Sequence, residues 1–272
     1  MARIVNLVDT YKYIAMDTEF PGVVSRPTGT HRTSASYHYK MLKSNVDLLK
    51  VIQVGFFFCD ENGNYIPDSC CWQFNFSFRA GSDMFAPDSY RLLEEAGIRF
   101  QMHEEKGIDI QDFGEQLMMS GVVLNPNVKW ITFHAGYDYG YLLKIVTCAP
   151  LPDDEEGFFE LVSIFFPSLY DVKYMVRSCE DLKGGLQRVA SVLGVGRIGP
   201  QHQAGSDAIL TAATFFKLRE QYFDSQIDDY KYQGVIFGLG STPRPPLPPP
   251  NPLPSPTTAN SISASAGSAK VK

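Results

Sequence analysis

A single α/β domain, built on a mixed β-sheet flanked by helices, is the fold class this sequence predicts. Three observations lead there. Residues 50–59 and 70–76 are β-rich runs separated by Asp60-Glu61-Asn62-Gly63-Asn64, a hairpin signal, so the sheet begins antiparallel. After residue 128, strand-like runs alternate with helical periods, the pattern of β-α units. Hydrophobic residues make up 44% of the 272 and aromatic residues 13%, enough for a substantial core.

Taken in order, residues 1–11 make a short amphipathic helix on Ile4, Leu7 and Val8. Residues 13–17 form the first strand, and the hairpin supplies the next two. Residues 89–96 and 110–120 have helical period, the second with Ile110, Phe113 and Leu117 on one face. Residues 128–133 read as a strand and 137–146 as a helix. Another helix over 155–166 is stopped by Pro167, and 169–172 is a short strand. Residues 186–193 and 206–223 are helices, the latter expected to bury Ile209, Ala212, Ala213, Phe216 and Phe223. Residues 24–43 read as a loop carrying Arg26, His31, Arg32, His38, Lys40 and Lys43 with no acid.

The domain therefore spans residues 1–240, and the composition changes at Ser241. Half of the chain's 18 prolines fall between Pro243 and Pro256, and a Ser/Ala/Thr-rich stretch follows. Such a segment cannot bury enough apolar area to offset its ordering entropy. Residues 241–272 are expected to be a disordered tail with extended polyproline stretches, either inert or a Pro-x-x-Pro ligand.

Net charge is -6, and because the tail carries Arg244, Lys270 and Lys272 without an acid, the domain itself stands at -9. A wide basic nucleic-acid surface would read the other way. Either the partner is no anion, or anion binding is confined to a place where cations reverse the local sign. The five cysteines include no Cys-x-x-Cys, which points to free thiols in a reducing compartment. The N-terminal apolar stretch is too short for a signal peptide or a membrane span. An intracellular protein with no membrane association is expected.

Asp17 and Glu19 carry the most information. Residues i and i+2 of a strand share a face, so both acids project together from the end of a buried strand. Held this close, they disfavour each other's ionisation, and oxygen-rich sites of this kind suit Mg²⁺ or Mn²⁺. A solvated strand end would read the same. Asp138 stands at the start of the helix after the 128–133 strand, on the rim where α/β sheets gather their sites. Asp207 opens the last long helix. Either one alone is also an ordinary acid in a helix first turn. His202 lies five residues before Asp207 in the Gly-rich loop Gly199-Pro-Gln-His-Gln-Ala-Gly-Ser-Asp. Asp-x-Glu on a first strand, Asp after a later strand, then His-x₄-Asp entering a C-terminal helix resembles the DEDD exonucleases of the histidine subtype.

The intervening text narrows the likeness. Asp17-Thr-Glu-Phe-Pro-Gly-Val-Val, Asn45-Val-Asp-Leu-Leu-Lys, Trp72-Gln-Phe-Asn-Phe, Phe133-His-Ala-Gly-Tyr-Asp-Tyr-Gly-Tyr-Leu-Leu-Lys, Leu182-Lys-Gly-Gly-Leu-Gln and Arg197-Ile-Gly-Pro-Gln-His-Gln-Ala-Gly-Ser-Asp closely resemble the Caf/Pop deadenylase family. The likeness covers roughly residues 1–240. It implies a ribonuclease-H-like fold and 3′→5′ exoribonuclease activity on mRNA poly(A) tails. It also implies membership of the CCR–NOT complex beside a scaffold subunit and a second deadenylase, in cytoplasm and nucleus. Carried over, the ligands of two divalent cations (Mg²⁺ or Mn²⁺) are Asp17, Glu19, Asp138 and Asp207, with His202 as general base.

Cleaving a phosphodiester requires charge to be balanced on the attacking and leaving oxygens, which two divalent ions about 4 Å apart can do. Four carboxylates balance two such ions, which accounts for an acidic domain acting on an anion. Phe20, Phe133 and His134 are placed to pack on the terminal nucleotide, with core packing the competing reading for Phe133. Lys183 and Leu186, in the Lys-Gly-Gly-Leu turn, are further substrate-contact candidates. Residues 24–43 would guide phosphates or simply be solvated. Two rivals remain: a catalytically idle docking module, and a DNA-directed exonuclease on the same fold.

Overall fold

A computed structural model describes residues 2–29, 33–67 and 70–242. The expected tail lies outside the described residues from 243 onward, as do His31 and Arg32. Among those described, five strands form one sheet in the order β3-β2-β1-β4-β5. β1 (Tyr13–Glu19) pairs antiparallel with β2 (Gln53–Cys59), which pairs antiparallel with β3 (Cys71–Asn75). On the other side β1 runs parallel to β4 (Lys129–Thr132), and β4 parallel to β5 (Leu169–Asp171). The mixed sheet read from the sequence is the one observed. Asp60 closes the β2–β3 turn, accepting from the backbone N–H of Asn62 and Asn64 at 2.8 Å each, with Gly63 at φ 82°.

Helices cover both faces of the sheet. α1 is Ala2–Val8, α2 Ser34–Leu48, α3 Pro87–Glu95, α4 Phe100–Lys106, α5 Ile110–Met118 and α6 Gly136–Thr147. They are followed by α7 (Glu155–Phe165), α8 (Val172–Met175), α9 (Leu186–Val192), α10 (Ala204–Tyr222) and α11 (Asp229–Tyr232). Phe56 of β2 meets Phe113 of α5 and Trp130 of β4, and α6 packs against α5. Gly55, one residue earlier and so on the opposite face, lies against the N-terminus of α10.

Several helices depart from the sequence reading. α2 occupies part of the stretch read as a loop; Thr33 caps it by accepting from the Ser36 N–H, and Tyr39, Leu42 and Val46 form its buried stripe. α4 and α11 are short and were not marked by apolar period. α10 buries a broader face than expected. Ala212 is buried and Ile209, Phe216 and Phe223 pack half-buried against the core as read, Ala213 is exposed, and Leu210, Thr211, Thr214, Phe215 and Leu218 also face inward. The end of the domain also runs a little further, because Val235 bridges Ser241 and the Thr242 N–H donates to Gly234 O at 2.9 Å.

Candidate active site

The C-terminal ends of β1, β4 and β5 and the N-termini of α6 and α10 meet at one rim of the sheet. Asp17 pairs in register with Gly55 across β1 and β2, so both face α10. A Cβ at Gly55 would fall 2.1 Å from the Ala204 carbonyl oxygen. Glycine there lets the start of α10 settle onto the sheet beside Asp17, and Asp207, in the helix's first turn, is brought to the same place. α10 has no N-cap side chain of its own. Its first N–H groups are taken by the sheet instead, Ala204 donating to Gln53 Oε1 at 3.2 Å and Gly205 to Gln73 Oε1 at 2.8 Å.

Asp138 arrives from the opposite face. It sits buried in the first turn of α6 and accepts from Thr18 Oγ1 at 2.6 Å. Strand alternation explains the contact: Asp17 and Glu19 point one way, and Thr18 between them points toward α6. The four predicted acids thus converge from two strand positions and two helix starts. Burial raises the carboxyl pKa values of Asp17, Glu19 and Asp138, and for Asp17 and Glu19 repulsion within the cluster is the second cause. Asp17 is pushed well above the usual carboxylate range by burial, then by the charges of Asp138, Glu19 and Asp207. Glu19 rises to about 8 through burial, then Asp207 and Asp138. Asp138 rises to about 7 through burial, moderated by the Thr18 hydroxyl.

A cleft of about 500 Å³ opens over this cluster, lined by Asp17, Glu19, Asp207, His202, Phe133 and Leu186 among others. His202 adopts a left-handed backbone, φ 60°, and its N–H donates to Asp207 Oδ2 at 3.0 Å. Its ring nitrogen and one carboxylate oxygen each of Glu19 and Asp207 lie within 4.8 Å of one another. Four carboxylates and an imidazole form a hard, oxygen-rich donor set that fits Mg²⁺ or Mn²⁺, and a divalent cation would relieve the repulsion that raises Asp17 and Glu19.

Of the predicted substrate contacts, Phe133 and Leu186 line the cleft, whereas Phe20, His134 and Lys183 are not among its lining residues. Phe20 stacks on Tyr137 with ring centroids 4.7 Å apart and meets Tyr141 at 5.3 Å, so its ring belongs to the packing under α6. It follows Glu19 by one residue and so leaves the strand with the parity of Thr18. His134 is exposed beside the cleft, with φ 67°. Lys183 offers its carbonyl to Arg188 Nε at 3.0 Å.

Three residues here were not singled out from the sequence. Arg197 pairs with Asp207 Oδ1 at 2.6 Å and is itself held by Gln187 Oε1 at 2.6 Å and Ser206 Oγ at 3.2 Å. Its charge partly offsets the rise at Asp17 and Glu19. The available signal was its place at the head of the Gly-rich loop. Thr18 was readable from strand parity. Asp171, fully buried at the end of β5, accepts from the backbone N–H groups of His134, Lys173 and Phe237 at 2.8–2.9 Å and of Ala135 at 3.2 Å. Its only sequence signal was an acid ending a short strand.

Comparison with known proteins agrees with this geometry. The CAF1 family ribonuclease model matches residues 1–116 and 115–215. The chain is 50% identical over 242 residues to poly(A) ribonuclease pop2 of Schizosaccharomyces pombe, covering 89% of this chain and 72% of that protein. Among solved structures it resembles S. pombe Pop2p in its Mg²⁺- and Mn²⁺-bound form, with TM-score 0.84 and 50% identity over 87% of this chain and 93% of the other. It also resembles the structure of a yeast NOT1 MIF4G domain co-crystallised with CAF1, with TM-score 0.72, 32% identity, and 87% and 91% coverage. The ribonuclease-H-like sheet expected from the sequence is therefore present, and this chain belongs to the CAF1 ribonuclease family.

Proposed function

We propose that the chain is a metal-dependent 3′→5′ exoribonuclease that shortens poly(A), releasing 5′-AMP, within a CCR–NOT-type assembly. The observation that carries the reading is the convergence of Asp17, Glu19 and Asp207 with the His202 ring under one open cleft, with Asp138 near enough for its charge to act on Asp17 and Glu19. The four carboxylates would hold two divalent cations, Mg²⁺ or Mn²⁺. When bound, these supply Lewis-acid stabilisation of charge on the attacking and leaving oxygens. His202, turned toward Glu19 and Asp207 from a loop, accepts the proton of the attacking water. Arg197 orients the Asp207 carboxylate, and Thr18 fixes that of Asp138. Phe133 and Leu186 form apolar wall against which the terminal nucleotide packs.

Adenine as the preferred base is supported by the name of the S. pombe relative, a poly(A) ribonuclease. A scaffold partner is supported by the NOT1 complex of the related CAF1. A second deadenylase in the assembly, and residence in cytoplasm and nucleus, rest on the family resemblance.

The test is AMP release by the purified chain from oligo(A), oligo(U) and oligo(dA), with Mn²⁺ and with EDTA. Release from oligo(A) that stops in EDTA is expected, and His202→Ala should slow it about 10²–10⁴-fold. No release in Mn²⁺ would favour an idle docking module, and preferred release from oligo(dA) a DNA-directed enzyme. A wild-type rate for His202→Ala would remove the general-base role alone.

A further inference from the structure

From Phe133 in the cleft wall runs a row of cations and aromatic rings that, beyond Phe133, the site as described does not use. Lys173, in α8, places its ammonium 5.6 Å from the Phe133 ring and 5.6 Å from the Phe237 ring, and donates to the Gly184 carbonyl. It forms no ion pair among the described residues. Phe133 belongs to the cleft wall. Phe237 stands edge-on to the His134 ring at 5.2 Å. The next residue, Gly238, offers its carbonyl to His38 Nδ1 at 3.1 Å. There a second hollow of about 480 Å³ opens, lined by Ser34, His38, Tyr174 and Arg177 together with residues of the 235–241 turn. None of its described lining residues is acidic, and Arg177 lies 5.9 Å from the Tyr174 ring. Ser34 also brings the positive end of the 15-residue α2 to the hollow.

This row is built rather than incidental. The buried carboxylate of Asp171 accepts from the backbone of His134, Lys173 and Phe237 at once, so one acid fixes three successive members of the row. The strip carries Lys173 and Arg177, has no acid among the hollow's described lining residues and keeps Asp171 fully buried. In a domain of net charge -9, such a strip, joined to the catalytic cleft through Phe133, calls for an anionic ligand that enters the cleft. Rings alternating with cations match the chemistry of single-stranded nucleic acid, whose bases stack while its phosphates track positive charge. An acidic protein segment would use the cations but not the alternating rings.

We propose that the strip from Phe133 through Lys173 and Phe237 to Tyr174 and Arg177 is the track for the single-stranded RNA lying 5′ of the terminal nucleotide. The inference rests on the exoribonuclease reading and deepens it, because it makes recognition depend on RNA length. Binding is measured by fluorescence anisotropy, using labelled oligo(A) with hydrolysis-resistant terminal linkages, of about 20 nucleotides and of three. The variants are Lys173→Gln and the exposed Arg177→Glu, each checked by circular dichroism. For the long oligomer each should raise Kd about tenfold and lower the salt slope by about one. For the trinucleotide the rise should be several-fold smaller. Equal effects at both lengths, or none on the long oligomer, would overturn the track. Lost binding of a poly-glutamate peptide with unchanged oligo(A) binding would also overturn it and give the strip to a protein partner. The two readings fail separately. Length-dependent binding lost in the variants, in a wild-type chain that releases no AMP, keeps the track and removes the nuclease. AMP release with variants indistinguishable from wild type does the reverse.

Discussion

Replacing Asp17 or Asp138 by Asn is expected to cut AMP release from oligo(A) to about one-thousandth of the wild-type rate or less, with the fold intact. The substitution keeps the shape of the side chain and removes one charge from the cluster. Loss of activity is expected because, in the proposed mechanism, balancing the scissile phosphate depends on the full set of carboxylates. Stability should move the other way. Asp17 is opposed first by burial and then by Asp138, Glu19 and Asp207, so a neutral amide relieves both costs. An amide oxygen at position 138 can still accept from Thr18, which now contacts Asp138 at 2.6 Å. In EDTA at neutral pH the melting temperature of either variant should match or exceed that of the wild type. A relief of about 1 kcal/mol would raise it by roughly 2–4 °C in a domain of this size. A variant that trims at the wild-type rate contradicts the site. An inactive variant that also melts well below wild type would assign that acid to structure.

The same electrostatics predict an unusual pH dependence for the metal-free chain. In EDTA, the melting temperature should fall as pH rises from about 5 to about 8. Glu19 is raised from 4.5 to about 8 and Asp138 from 3.8 to about 7, chiefly by burial. The native state therefore holds these protons more tightly than the unfolded chain does. Their contribution to stability is fully present below the unfolded values near 4 and is lost as pH climbs through the folded ones. Divalent cations bind the ionised form, so Mn²⁺ should restore more stability at pH 8 than at pH 5. At about one hundred times its Kd, an ion contributes about 2.7 kcal/mol. Asp138→Asn should flatten the EDTA profile. A wild-type profile that is level or rises across this range would mean that the acids do not repel one another as described.

What could be read from the sequence follows from how far each signal depends on local geometry. Asp17 and Glu19 were legible because a strand's two-residue period fixes their common face without knowledge of the rest of the fold. Asp138 and Asp207 were legible because each starts a helix at the rim of a sheet. Applied one residue further, the same parity would have placed Thr18 toward α6 and removed Phe20 from the cleft, where adjacency to the Asp-x-Glu pair had suggested it belonged. Arg197 acts from an irregular loop on Asp207 ten residues on, and Asp171 gathers backbone N–H groups from three segments. No local period announces either. α2 was hidden for a different reason. Its buried stripe includes Tyr39 and the fully buried Asn45, whose amide holds the 24–25 backbone, and these polar residues interrupt the apolar pattern that marks a helix. α10 was legible as a helix but not in the breadth of its buried face, because Thr211 and Thr214 occupy positions on it.

Anomalous scattering from a crystal soaked in Mn²⁺ is the sharpest test of whether the four carboxylates from β1, α6 and α10 cage divalent cations. Two peaks bounded by the side chains of Asp17, Glu19, Asp138 and Asp207 are expected from the proposed cation cage. A well-ordered soaked crystal with no peak among those four residues would contradict it.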